Sequence, residues 1–314
     1  MYTPGGAIPP LSVIEGTIGL SEMMFEFLDW NWQDEEADDY EPLPSGVEID
    51  VDESGDNGGT MTITFTGFAP YQDDPNLKID GEVVLDVTFG EETVTVVKNG
   101  SITVTGHAEF NDIRFFDATW IILDSDDNGD ENGGGPLDVE MAGSIAFGTV
   151  TYQMTDILLA VQAAYTVEGL VGNTILKYVE EYAEAPEEWA DSDDVSMEGP
   201  AGGPYVITFD EYDPTGGGVF TISGSVTVTV DGEFGTAPLS IVFHGLVTAD
   251  GFVFETIALN SVEATWDTDA DGPPDDISGT MTFDGLTYQA KYLTDILMMF
   301  DFGGDDNDNG NGGD

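Results

Sequence analysis

Along most of the chain, apolar and polar residues alternate one for one. "GTMTITFTGF" sets Met61, Ile63 and Phe65 against threonines, and "ETVTVVKNGSITVTG" and "GVFTISGSVTVTVDGEFG" continue the pattern further along. A period of two is that of a half-buried strand, and Val, Ile, Thr and Phe are the residues a pleated surface favours. Gly, Asp and Asn punctuate the runs at short intervals, as turns between antiparallel strands require. Asn99-Gly100 reads as a two-residue hairpin turn. The pattern predicts an all-β, mainly antiparallel fold of sandwich-like domains, with one aliphatic face that packs and one Thr-rich face toward water.

Two segments depart from this period. "NTILKYVEEYAEA" (Asn173–Ala185) puts Ile175, Tyr178, Val179 and Tyr182 on one helical face, with Asn173 as N-cap, and predicts a short helix. Its counterpart "LSEMMFEFLDW" (Leu20–Trp30) has Ser21 as an equivalent cap. Met23, Phe25 and Phe27 also alternate there, so this segment fits helix and strand alike.

The chain is written twice. "VIEGTIG" returns as "TVEGLVG", "TMTITFTGF" as "PYVITFDEY", "KIDGEVVLDVTF" as "TISGSVTVTV" and "SITVTGH" as "SIVFHG". An Ala-Thr-Trp triplet followed by an Asp burst occurs in both halves. "AGSIAFGTVTYQ" then matches "SGTMTFDGLTYQ", and both copies close on "TDIL". The order is kept throughout, which defines two tandem copies of one domain and not a short-period solenoid. The expected organisation is an apolar N-terminal arm over 1–12, sandwich repeats over 13–162 and 163–303, and an acidic Gly/Asn-rich tail over 304–314.

Charge changes the picture next. Asp and Glu number 63 against five basic residues, a formal charge of −58. Self-repulsion on that scale opposes compaction, so the folded state calls for salt or bound divalent cations. Five scattered cations cannot build a basic patch, which excludes nucleic acid as a partner. Cysteine is absent, and with it disulfides and thiolate chemistry. No run of 18 apolar residues is present, so no membrane span is expected, and the N-terminus lacks the pattern of a signal peptide. Asn99-Gly100-Ser101 is a glycosylation-type sequon.

The Asp bursts are the candidate chemistry. Asp124, Asp126, Asn128 and Asp130 in the first copy face Asp267, Asp269, Asp271 and Asp275 in the second. Oxygen ligands at alternate positions, closed by Gly129 or Gly272, are what calcium needs from a short loop. Over six residues these loops resemble the first half of EF-hand or thrombospondin-type calcium repeats. They depart from the EF-hand where its bidentate Glu would fall, at Gly135 and Ser278. Calcium is therefore the expected cofactor, against the plainer reading of a solvated acidic loop.

Catalytic patterns are missing. His107 and His244 are the two histidines, and no nucleophile elbow, zincin, dinucleotide or phosphate-loop motif is present. No enzyme is expected.

The first 20 residues hold one charge, Glu15. Ile8, Leu11, Val13 and Ile14 read as an assembly arm that packs against the next molecule, head to tail, by strand addition at an open edge. The alternative is that this segment completes its own domain. The expectation is thus an extracellular or cell-surface structural protein, a subunit of a filament or array whose partners are copies of itself. A calcium-dependent adhesin or glycan-binding module is the second reading, and a secreted hydrolase the third.

Overall fold

A computed structural model describes residues 8–32, 43–53, 58–70, 76–90, 93–107, 111–123, 139–184, 192, 194–200, 203–214, 221–250, 253–267 and 274–301. The chain divides into two compact units, Met1–Ala160 and Val161–Asp314. Both are built on an antiparallel meander, as the period-two pattern requires.

In the first unit, helix α1 (Leu11–Trp32) precedes seven strands: β1 (Val47–Glu53), β2 (Gly58–Phe68), β3 (Lys78–Phe89), β4 (Thr93–Thr105), β5 (Asp112–Leu123), β6 (Val139–Phe147) and β7 (Val150–Gln153). They pair in sequence order as one sheet, β1-β2-β3-β4-β5-β6-β7. The second unit repeats this with β8 (Val195–Glu198), β9 (Tyr205–Tyr212), β10 (Thr221–Glu233), β11 (Thr236–Asp250), β12 (Thr256–Trp266), β13 (Asp276–Phe283) and β14 (Leu286–Gln289). Helix α2 (Met154–Val167), a π-helical stretch (Glu168–Leu176) and α3 (Lys177–Glu184) follow β7 without a break, and α4 (Ala290–Asp301) follows β14. The fold is thus mainly antiparallel β in two tandem sandwich-like units, in which helices supply the layer packed on each sheet.

The apolar phase of each strand forms one buried face. Met61, Ile63 and Phe65 of β2 lie beside Leu85, Val83 and Gly81 of β3, and all three β2 residues are buried. Helix α1 covers this face: the Phe27 ring meets Phe65 and Phe68 at 6.2 Å, and Phe25 meets Trp120 edge-on at 5.7 Å. In the second unit, Tyr178 and Tyr182 of α3 meet Tyr212 and Tyr205 at 5.8 and 5.7 Å. There α4 lies along β13 and β14, with Leu293 and Ile296 buried.

Bulges set a common register for the two sheets. Gly81 and Gly224 hold φ near +131° and +135°, where a Cβ would overlap the Ser101 and Leu246 carbonyl oxygens of the next strand. Gly143 and Gly279 press in the same way on Asp117 and Ser261, which themselves take φ of 47° and 54°. Those pairs are therefore equivalent. So are the rows Met61–Leu85–Lys98–Ala118 across sheet one and Tyr205–Val228–Phe243–Val262 across sheet two.

Four local expectations are corrected. Asn99-Gly100 does not turn a hairpin; it lies inside β4, where the β4–β5 register shifts between Lys98 and Gly100. The Asn99 amide there donates to Asp117 Oδ1 at 3.1 Å and accepts from the Asp117 N–H at 2.9 Å. The same bulge in β11 falls between Phe243 and Gly245, so Ser101 corresponds to Leu246 and not to Ser240. Ser21 is no N-cap, since it sits inside α1 and donates to the Thr17 carbonyl at 2.7 Å. Asn173, likewise, lies within the π stretch of a helical run that begins at Met154.

The N-terminal segment also takes a different form. From Leu11 onward it is helix, not an extended arm. Val13 and Ile14 are buried inside the chain's own fold, Leu11 is half-buried and Ile8 is exposed. The run Met154–Ala183 is long and apolar enough, by length and composition, to cross a membrane, and most of its apolar window is buried in the protein.

The burial of Ile14 generates a test. Ile14→Ala removes three buried carbons and is expected to cost about 2–5 kcal/mol of folding stability, measured by urea unfolding followed through far-UV circular dichroism. An unchanged midpoint would mean that this helix contributes nothing to its own unit.

Candidate functional site

The predicted cation loops are divided by the structure. Asp124, Asp126, Asn128 and Asp130 lie outside the described residues, as do Asp269 and Asp271. Asp267 and Asp275 are described, and the structure brings them together. The Asp275 carboxylate accepts the Asp267 N–H at 2.6 Å, while the Asp275 N–H donates to the Thr265 carbonyl at 2.8 Å. This pair closes the end of the β12–β13 hairpin. Among the described residues, no three His, Asp or Glu side chains converge as metal ligands.

The shared register also bears on the repeated Trp-Asp element. Because Asp117 corresponds to Ser261, Trp120 falls opposite Ala264 and Trp266 opposite Ile122. The Ala-Thr-Trp triplets are thus offset by two residues in the fold, and Asp267 corresponds to Leu123. Both indoles still face inward, because a shift of two keeps the face of a strand. Trp120 and Trp266 are 9 % and 7 % exposed.

A polar cleft of about 520 Å³ opens in the second unit, lined by Glu211, Thr221, Ser223, Thr248, Ala249, Asp250, Glu255 and Thr256. Its walls are held by the bulge chemistry. The Glu211 N–H donates to Ser223 Oγ at 2.9 Å, and Thr248 Oγ1 donates to the Ser223 carbonyl at 3.2 Å. At one lip, the Asp284 carboxylate accepts from the backbone N–H groups of Glu255 and Thr256 and from Thr256 Oγ1, at 3.1, 2.7 and 2.9 Å. Three carboxylates and four hydroxyls line the cleft, with no histidine or lysine among them. That set offers hydrogen bonds to a hydroxylated ligand. His107 and His244 are both exposed; His107 lies two residues beyond the end of β4, and His244 lies in the β11 bulge.

The third feature is one that alternation along β4 already marks: Lys98 stands on the same phase as Val96. Its side chain is fully buried on the α1-facing side of the sheet, and among the described residues its Nζ has no hydrogen-bond partner. The amine sits 4.5 Å from the Phe25 ring centroid and 4.9 Å from that of Trp120. Trp120 Nε1 is likewise buried and, among the described residues, without a hydrogen-bond partner. Two ring faces attract an ammonium but accept none of its hydrogen bonds in the ordinary sense. Burial therefore lowers the Lys98 amine from 10.5 to about 7.

Comparison of the chain with protein-family models, curated proteins and solved structures finds no match.

The lowered Lys98 value has a definite sign. Between about pH 7 and 10.5 the unfolded chain holds a proton on Lys98 that the folded chain has released. Stability contributed through this residue thus rises with pH across that window, by up to about 1.4 kcal/mol per unit, and the full penalty stands below it. Lys98→Met is expected to be more stable than the parent by several kcal/mol at pH 6.5, with the gap closing toward pH 10. Urea unfolding of both proteins at pH 6.5, 8 and 9.5 measures it, and a gap that does not change with pH refutes the assignment.

Proposed function

We propose that the chain is a non-enzymatic, extracellular β module, a structural subunit of a surface array or filament that cations keep compact. The observation that supports this reading most is the polarity of the sheets. The inner face is filled with apolar side chains, while the outer face carries rows such as Glu48–Thr64–Glu82 and Asp52–Thr60–Asp86. Within such a row, acids on alternate strands stand roughly 10 Å apart, about one Debye length at 0.1 M salt. Thr60 Oγ1 bridges part of that gap by donating to Asp86 Oδ1 at 2.8 Å. Repulsion along the face is the term that cations relieve.

The edges shape how copies meet. β7, β8 and β14 have four residues each, while β1 has seven and carries Glu48, Asp50, Asp52 and Glu53. Short or acidic edges resist strand addition. Pairing along β1 therefore depends on neutralising its acids, which links assembly to divalent cations. Val13 and Ile14 are buried against their own unit, so among the described residues of the proposed arm a neighbour would be met through the exposed Ile8 and the half-buried Leu11. Calcium held by the Asp loops, with Asp267 and Asp275 at the base of one, belongs to the same proposal.

Sedimentation velocity and electron microscopy, in calcium, in magnesium, with chelator and in molar sodium chloride, test this. Larger particles that form in calcium and disperse with chelator are expected. A monomer under all four conditions overturns the structural reading, and growth in molar salt alone replaces discrete sites by general screening.

The polar cleft favours a second reading, a glycan-binding surface module. Its carboxylates and hydroxyls suit the vicinal hydroxyls of a sugar. Retention on a polysaccharide column that is lost in Glu211→Ala would put this reading first.

A further inference from the structure

We propose that the Lys98 amine and the Trp120 indole N–H form the head-group end of a binding site for a carboxylate carried on an apolar body, with Phe25 as its cover. The two groups are buried neighbours, both are donors, and both lack an acceptor among the described residues. Buried donors are ordinarily satisfied, so a pair left open side by side marks the place of an acceptor supplied from outside the chain.

The second copy shows that the fold does not ask for this lysine. In the row Tyr205–Val228–Phe243–Val262, the position of Lys98 is taken by Phe243, which is fully buried. A phenyl ring fills that place with nothing left unpaired. One of five basic residues in a chain of charge −58 has instead been placed where it is shut off from solvent and, among the described residues, makes no hydrogen bond to an acid. Its use is in what the amine binds.

In this proposal access runs past Phe25. Phe25 is half-buried on α1, with its ring over Lys98 Nζ and edge-on to Trp120 at 81°. Phe25 belongs to α1, so turning its ring outward to uncover the amine would break no strand pair. A carboxylate meets the chemistry best: its two oxygens accept several bonds, and the ammonium–carboxylate bond is the strong, charge-assisted kind. The neighbours of Lys98 across the sheet, Leu85 and Ala118, are buried and apolar, and so select for an apolar body. Small hydrated anions gain nothing from those walls and are repelled by the acidic surface.

Calorimetric titration of the whole chain with sodium dodecanoate below its micellar concentration tests this, with dodecanol and dodecyltrimethylammonium as tail-matched controls. One dodecanoate per chain is expected, with a shift of the Trp120 indole N–H resonance. Lys98→Met should weaken dodecanoate by about tenfold or more and leave dodecanol unchanged. Trp120→Phe, which keeps a ring and removes the donor, should weaken it less. Circular dichroism confirms that each variant folds, and Phe243 in the second copy shows that an apolar residue is accepted there. Equal affinity of parent and Lys98→Met for dodecanoate, equal affinity of the parent for all three amphiphiles, or no binding at all each overturns the proposal.

Discussion

Each sheet has one apolar face, and that face has to be covered. The seven-stranded meander is an open sheet in each unit and presents a broad greasy surface on one side. In the first unit α1 meets it through Phe25 and Phe27; in the second α3 and α4 share the work through Tyr178, Tyr182, Leu293 and Ile296. Much else follows from this requirement. It explains why helices flank each run of strands and why Val13 and Ile14 are withdrawn from the surface. It also places the polar residues, which have only the outer face left to occupy.

Alternation made the strands legible, because Met61, Ile63 and Phe65 repeat at the period of the pleat itself. The duplication was legible for the same reason. Register was not: a bulge slips one strand against its neighbour without changing the alternation on either side. Asn99-Gly100 carries a turn signal yet sits in mid-strand, held by the Asn99–Asp117 amide clasp, a contact between distant residues that local sequence does not display. The Ala-Thr-Trp triplets misled in the same manner, being alike in letters and two places apart in the fold. Helix α1 was ambiguous because its aromatics satisfy both periods, and only docking on a sheet decides between them.

The candidate sites were legible to different degrees. Of the two acidic loops, Asp267 and Asp275 are joined by a backbone contact at the hairpin base. The polar cleft could not be read beforehand, since its residues come from β9 to β12 and meet only through pairing. Lys98 is the reverse case. A charged letter on the apolar phase of β4 was visible from the start, but its meaning depended on learning that Phe25 and Trp120 close over it. In a chain so acidic, a lysine buried with no hydrogen-bonded carboxylate among the described residues is set apart from the prevailing electrostatics.

The bulge glycines have a consequence for how such a chain could be rebuilt. Gly81 and Gly224, like Gly143 and Gly279, stand at matching heights on matching strands and meet the same backbone atoms next door. The two sheets are therefore interchangeable parts in the engineering sense. A hairpin taken from one and grafted into the other would find its partner's kinks already aligned, although few of its side chains would be the same. The tolerance of the design resides in the backbone, and the side chains are free to specialise.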